Sequence, residues 1–285
     1  MIKFKDFCIK LWIYFSFFIL ITVVGYIFYF LISKGFSHID LTFLTENPKG
    51  LPLGVEGGIY QSLVGSFFLM LLSMLFSGIL GVSCAVYNVV FNKSKLINLL
   101  ITLSVQCVSS IPSIIIGLFV YGFFIVTLKI PQSLLAASIA LSIMVFPFVE
   151  IQTEKAINDI DKQFIKDSYS LGIDKTYMCI NLILPLIKKN TVSTLLLAGS
   201  YAMGATAPLL LTGVVFITKS TSLLKPVMAL PFHLHMLLSQ SVATEKAYAT
   251  ALVLIFILLI IHILSELIIR NVGGKLIEYI TDKKS

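Results

Sequence analysis

Charge is what this chain has least of. Charged residues make up 12 % of its 285 positions, about half the ~25 % of a soluble domain. So few charges cannot cover the apolar surface of a chain that is 58 % hydrophobic. Disorder is excluded on the same ground, because disordered chains are poor in apolar residues. Cysteine is nearly as scarce. Cys8, Cys84, Cys107 and Cys179 form no CxxC pair and no metal-binding spacing. Cys84 and Cys107 lie in apolar runs and read as small side chains buried in the membrane. Catalytic signatures are missing too: there is no GxxxxGK[ST], no HExxH, no GxSxG, and no pair of carboxylates inside the apolar runs to relay protons. His233 and His235 form an H-x-H, with His38 elsewhere, too few ligands for a metal site.

What is present is a series of long uncharged runs. A crossing helix needs about 20 apolar residues. Six stretches qualify, which predicts an all-α integral membrane protein forming one transmembrane domain over 1–285. The spans fall near 11–33, 58–91, 96–128, 130–150, 188–218 and 247–269, with a polar segment over 151–187. The second, third and fifth runs are long for one straight helix. Pro112 is expected to break the third, and Gly204 with Pro208 the fifth. The first run follows Lys3, Lys5 and Lys10 as a signal peptide would. It is longer than an h-region and has no A-x-A site, so it reads as an uncleaved helix.

Orientation follows from the cations. With the N-terminus inside, 15 of the 21 basic residues fall on inner segments. The outer six are Lys34, Lys49, Lys129, Lys219, Lys225 and Lys246. This split predicts both termini in the cytoplasm. It also explains the net charge of +7 without nucleic acid as a partner; the partner implied is the bilayer.

The polar segment is nearly balanced in charge, unlike a polybasic lipid-binding loop. Phe164, Ser168 and Leu171 recur at helical spacing. Asp161 is placed to cap the start of that helix, Gly172 to end it, and Asp174 to cap a second. Two short helices around a glycine elbow form a docking surface. In the spans, Ser73, Ser77, Gly81 and Ala85 make a small-residue seam, and Ser109, Ser113 and Gly117 repeat it. The Gly199–Gly213 stretch is rich in Gly, Ala and Pro, and reads either as a kinked helix or as an unwound segment lining a polar path. His262, Glu266 and Arg270 stack at helical spacing and read as an interfacial ion-pair ladder rather than a proton path.

Four stretches resemble one family. They are Gly57-Gly58-Ile59 with Leu63-Val64-Gly65 and Gly81…Ala85-Val86-Tyr87; Pro112-Ser113-Ile114-Ile115-Ile116-Gly117-Leu118-Phe119; Leu171-Gly172 followed by Leu184-Pro185; and Gly204-Ala205-Thr206-Ala207-Pro208-Leu209-Leu210-Leu211-Thr212-Gly213. The chain resembles the integral-membrane permease subunits of phosphate ABC importers, the PstA type. The resemblance implies a six-helix type I importer permease (MetI-like) with both termini inside, in the bacterial cytoplasmic membrane. It implies a second, PstC-like permease, two PstB-like ATPases that use the ATP, and an extracytoplasmic PstS-like binding protein. No cofactor is expected on this chain.

The same resemblance assigns ATPase coupling to Phe164, Lys166, Asp167, Ser168, Leu171, Gly172, Leu184 and Pro185. It assigns the translocation path to Tyr201, Gly204, Ala205, Thr206, Pro208 and Thr212. Lys166-Asp167-Ser168 stands where the coupling motif has Glu-Ala-Ala, Ala205 where the family has Glu, and Tyr201 where members often have Arg. The expected path donors are therefore neutral: the Tyr201, Thr206 and Thr212 hydroxyls and backbone amides near Pro208. A permease for another oxyanion, or the sister permease, are the neighbouring readings. A membrane enzyme acting on lipid would need positioned acids, bases or a metal, and the spans supply none.

Overall fold

A computed structural model describes residues 2–50, 54–218, 222–240 and 243–282. Lys219, Lys283 and Lys284 of the cation count, and the side chains of Cys8 and Arg270, lie outside the described residues. The described chain is helical, with only two isolated bridges, Lys49 with Glu56 and Val214 with Val227. Helix is the natural answer in lipid, since it satisfies every backbone group within one segment.

α1 spans Ile2–Gly35 and is followed by the short α2, Leu41–Thr45. α3 covers Tyr60–Val86 and runs on through a π-helical turn to Phe91. α4 is Lys95–Ser110, and α5 is Ser113–Val120 with a π-helical continuation to Thr127. α6 is Leu134–Asn158, α7 Lys162–Ser170, α8 Lys175–Met178, α9 Leu184–Gly204 and α10 Leu209–Thr212. α11 is Leu230–Gln240 and α12 is Thr244–Asp282. Local chemistry sets many of the starts. Asp40, Ser94, Ser133 and Asp174 each accept a hydrogen bond from a backbone N–H of the following first turn.

Among the described residues five helical stretches are long and apolar enough to cross a membrane, or six if one bent pair counts as a single span. That pair is α4 and α5, bent by 101° at Ile111–Pro112. Proline lacks the N–H to continue the ladder, and the residue before it is pushed to extended backbone; Ile111 has ψ 127. The bend separates Ser109 from Ser113, so the expected second seam does not run along one helix. Two span bounds also differ from the sequence expectation. α6 runs to Asn158 rather than ending near 150. The fifth span is helical from Lys175 and stops at Gly204, not 218: the chain turns extended at Ala205 (ψ 130), and in a continued helix the Pro208 ring would clash with the Gly204 carbonyl.

The centre is a three-helix contact of α3, α6 and α9. Ser73, Ser77, Gly81 and Ala85 are all buried there. The Ser73 and Ser77 hydroxyls donate to carbonyls of their own helix, so the seam presents no unsatisfied polar atom. A Cβ on Gly81 would meet Val149 Cγ1 at 2.9 Å and the Glu150 backbone N at 3.1 Å. α12 packs on α9, fixed by a buried Ser193–Ser265 hydroxyl pair at 2.6 Å. α1 touches the bundle only near its C-terminal end, where Phe30 packs edge-on to Tyr248 and Gly35 lies against the Tyr248 backbone. Its crossing window is otherwise unburied.

At the end of the bundle carrying α2, α11 is a short helix tucked inward. Its first N–H, on Leu230, donates to Ser66 Oγ of α3 at 2.8 Å. His233 is buried and stacks on Phe216 with centroids 5.3 Å apart, whereas His235, two residues on, is exposed. The two rings therefore point to different surroundings and cannot share a metal ion. The Thr250 hydroxyl donates to the Lys246 carbonyl, so the His233 Nδ1–H is the donor in their contact. Burial, with the Lys246 cation as a second cause, pushes the His233 imidazole from 6.5 down to about 4. A depressed histidine contributes stability that is complete above 6.5 and is lost as pH falls toward 4. Thermal unfolding in detergent micelles should thus show Tm dropping across that window, and a His233→Phe variant should lose that part of the slope. An unchanged slope would contradict the assignment.

Candidate functional site

A cavity of about 780 Å³ opens beside the central helices. Three helices each contribute an i, i+4 pair to its wall: Met144 and Phe148 from α6, Leu197 and Tyr201 from α9, Leu258 and His262 from α12. Residues at that spacing share a helix face, so the helical period itself builds the lining. Ser113, at the start of α5, and Ser200 add hydroxyls. The remaining wall is Gly204 and the non-helical link 205–207 that follows it.

That link exists because α9 stops. Gly204 is its last residue and Ala205 is extended. Pro208 then begins α10 as its N-cap. The break is held from behind: a Cβ on Gly117 would meet the Pro208 Cα and carbonyl oxygen, both at 2.8 Å. The Pro112–Phe119 stretch and the Gly204–Gly213 stretch therefore meet backbone to backbone. Gly213 closes the same unit against the Ser133 backbone.

Of the expected path residues, Tyr201, Gly204, Ala205 and Thr206 line the cavity. Pro208 and Thr212 do not. Thr212 is fully buried, and its hydroxyl donates to the Pro208 carbonyl at 2.9 Å. It serves α10 and is no donor to a passing ion. Ser113, Ser200 and His262 were not foreseen as lining. His262 faces the cavity rather than belonging only to an interfacial ladder. Its Nδ1 lies 2.8 Å from the Leu258 carbonyl. A carbonyl only accepts, so Nδ1 carries hydrogen and Nε2 is left as acceptor in the neutral ring. The wall as a whole is apolar with hydroxyl and imidazole groups spaced along it.

The polar segment forms a second site. Asp161 Oδ1 accepts from the Gln163 N–H at 2.8 Å, at the start of α7. Gly172 ends the turn with φ +73, and nothing lies within 4 Å of where its Cβ would be. Asp174 Oδ2 accepts from the Thr176 N–H at 2.9 Å; that bond, to a backbone N–H, holds its carboxyl below the usual carboxylate range. Ile165 and Ile173 pack on a cluster of Val90, Ile157, Met178, Ile183 and Ile187. With that face held inward, Phe164 and Leu171 remain exposed, Leu171 at 79 %. Lys166 and Asp167 are exposed beside them, whereas Ser168 is buried and donates to the Phe164 carbonyl. Leu184 packs on the same cluster, and Pro185 follows directly on the π-helical turn Cys179–Ile183, an irregularity of the helical ladder that accommodates a residue with no N–H to donate.

Between the two sites, the extension of α6 carries a pair of carboxylates, Glu150 and Glu154, that no apolar-run count could reveal. Glu150 is 2 % exposed.

The model of the family described as "Binding-protein-dependent transport system inner membrane component" matches residues 77–276. The chain is similar to the "Probable phosphate transport system permease protein PstA" of Methanocaldococcus jannaschii, 30 % identical over 239 residues and covering 82 % of each. It is similar to the "Phosphate transport system permease protein PstA" of Xylella fastidiosa, 27 % identical over 244 residues, 85 % of this chain and 84 % of that protein. Among solved structures it superposes on a chain of the inward-facing MetNI methionine ABC transporter with TM-score 0.62. That match covers 75 % of this chain and 97 % of that one at 17 % identity, a likeness of fold.

The Gly117–Pro208 contact is directly testable. Gly117→Ala forces backbone against backbone and should destabilise by about 1–3 kcal/mol. Gly204→Ala meets only Leu258 Cδ1 at 3.8 Å and should be tolerated. Melting of the two variants in detergent measures the difference.

Proposed function

Since the chain belongs to the family of binding-protein-dependent transport system inner membrane components, we propose that it is a permease subunit of an ATP-driven importer for inorganic phosphate. The observation that carries this reading is the cavity walled by the broken end of α9, on a multi-pass fold of the type I ABC importer permeases. Relatives named as phosphate permeases match most of the chain.

An anion crossing lipid must exchange its water for other donors, since an uncompensated ion there costs several kcal/mol or more. Tyr201, Thr206 and Ser113 supply such donors here. Tyr201 is 63 % exposed in the single chain, so the cavity is open on one flank. A second, PstC-like permease closes that flank in this reading, and a PstS-like protein delivers phosphate from outside. Both termini and α7 face the cytoplasm, and the membrane is the bacterial cytoplasmic one. The chain itself hydrolyses nothing and holds no cofactor; two PstB-like ATPases use the ATP. Phe164 and Leu171 dock in an ATPase cleft, with Gly172 as the elbow that passes ATPase closure to α9.

The test is ATP-dependent uptake of radiolabelled phosphate by the reconstituted four-component complex. Uptake is expected for phosphate and not for sulfate. Preference for sulfate would favour an importer of another oxyanion. Thr206→Val keeps shape and removes one donor, so uptake should fall about fivefold, the worth of one hydrogen bond of ~1 kcal/mol, with assembly intact. Thr212→Val should instead show as lowered thermal stability.

Coupling makes a separate prediction. At Gly172 the cost of Gly172→Val is purely one of backbone conformation, about 1–3 kcal/mol for a β-branched residue at positive φ. ATP hydrolysis should uncouple from uptake while membrane insertion is unaffected. Gly172→Asn should be milder, because asparagine tolerates that region. Equal transport in all three proteins would remove the elbow.

A further inference from the structure

Glu150 and Glu154 lie one turn apart on α6, at the end of the bundle that carries α7. Glu150 Oε1 is buried without a hydrogen-bond partner, and Glu154, four residues on, shares its helix face. Asn88, at the end of α3, donates from Nδ2 to Glu154 Oε2 at 3.3 Å. Thr153 Oγ1, on the same turn, is also buried and unpartnered. Among the described residues neither carboxylate forms an ion pair. Both line a cavity of about 400 Å³ together with Thr102 and Gln106 of α4 and Asn158 and Lys155 of α6.

Two carboxylates one helical turn apart in a desolvated site repel, and a buried carboxylate oxygen without a donor is costly. Charges at this depth are retained where they bind something. The oxygens available are carboxylate, amide and hydroxyl, a hard donor set, and the cation in the wall, Lys155, is exposed. Two carboxylates match the charge of a divalent ion, and the cavity leaves room for the waters that Mg²⁺ keeps. We propose that Glu150 and Glu154 bind a hard divalent cation of the Mg²⁺ class, with Gln106, Thr102 and Asn158 completing its shell directly or through water.

The site ties α6 to α4 and, through Asn88, to α3, just before the chain turns into α7. Bound cation would brace the three helices beside the exposed Phe164–Leu171 surface. The inference does not depend on which solute crosses the membrane.

The experiment uses the full-length protein, purified in detergent and stripped with chelator. Unfolding is followed against MgCl₂ with choline chloride holding ionic strength. Mg²⁺ should raise Tm saturably by about 5 °C once in roughly hundredfold excess over Kd. Mn²⁺ should bind with a stoichiometry of one per chain, read by electron paramagnetic resonance and displaced by Mg²⁺. Glu150→Gln and Glu154→Gln keep the side-chain shape, relieve the repulsion, and should each abolish both signals while the apo protein melts no lower than wild type. If Mg²⁺ and Mn²⁺ leave wild type unchanged and only acidification stabilises it, the pair holds a proton and the cation site is overturned. Persistence of Mn²⁺ binding in both variants overturns it equally.

Discussion

The seam between α3 and α6 carries the rest of the bundle. Lipid exerts no hydrophobic pressure between helices, so association depends on close packing. Ser73, Ser77, Gly81 and Ala85 remove side-chain bulk along one line, and α6 comes near enough that a Cβ on Gly81 would press on Val149 and the Glu150 backbone. α9 lies in the groove the pair creates, with Gly199 against Met70 and Met74 and Gly78 against Leu195. α12 then follows α9 through Ser193 and Ser265. Each later element is placed by an earlier close approach.

The cavity is a consequence of that arrangement together with one interruption. Had α9 continued past Gly204, its next turn would have occupied the space now walled by Ala205, Thr206 and Ala207. Pro208 prevents it, and Gly117 lets the proline settle against α5 without a side chain between them. Conformational irregularity is tolerated in a membrane protein where it faces a cavity or is covered by protein, and here it does both. The opening on one flank is where a partner permease fits the proposed function.

Just beyond the cavity along α6 the chemistry changes from donors for an anion to oxygens for a cation. α6 extends two turns beyond its apolar run and carries a buried Glu150, its backbone lying close against Gly81 of α3. The same extension fixes the origin of α7. Ile165 and Ile173 turn in to the cluster around Met178 and Ile183, which leaves Phe164 and Leu171 outside. One stretch of helix thus sets both the buried acid pair and the exposed apolar pair.

The sequence by itself determined the helical class, the number and rough order of long apolar runs, the break at Pro112, the caps at Asp161 and Asp174 and the positive-φ turn at Gly172. These depend on composition and on interactions within a few residues, which a linear chain displays. It also marked the seam on α3, since small residues at helical spacing have few other uses in lipid. Only the tertiary structure decided which polar groups face the cavity. Thr206 and Thr212 look equivalent along the chain, yet one lines the wall and the other donates its hydrogen to Pro208. His262 reads as one step of a charged ladder until α12 packs on α9 and turns it inward. Glu150 reads as the first residue of a polar loop until α6 is seen to continue past it. Burial, and the identity of a partner far away in sequence, are properties of the packed bundle. No local pattern encodes them.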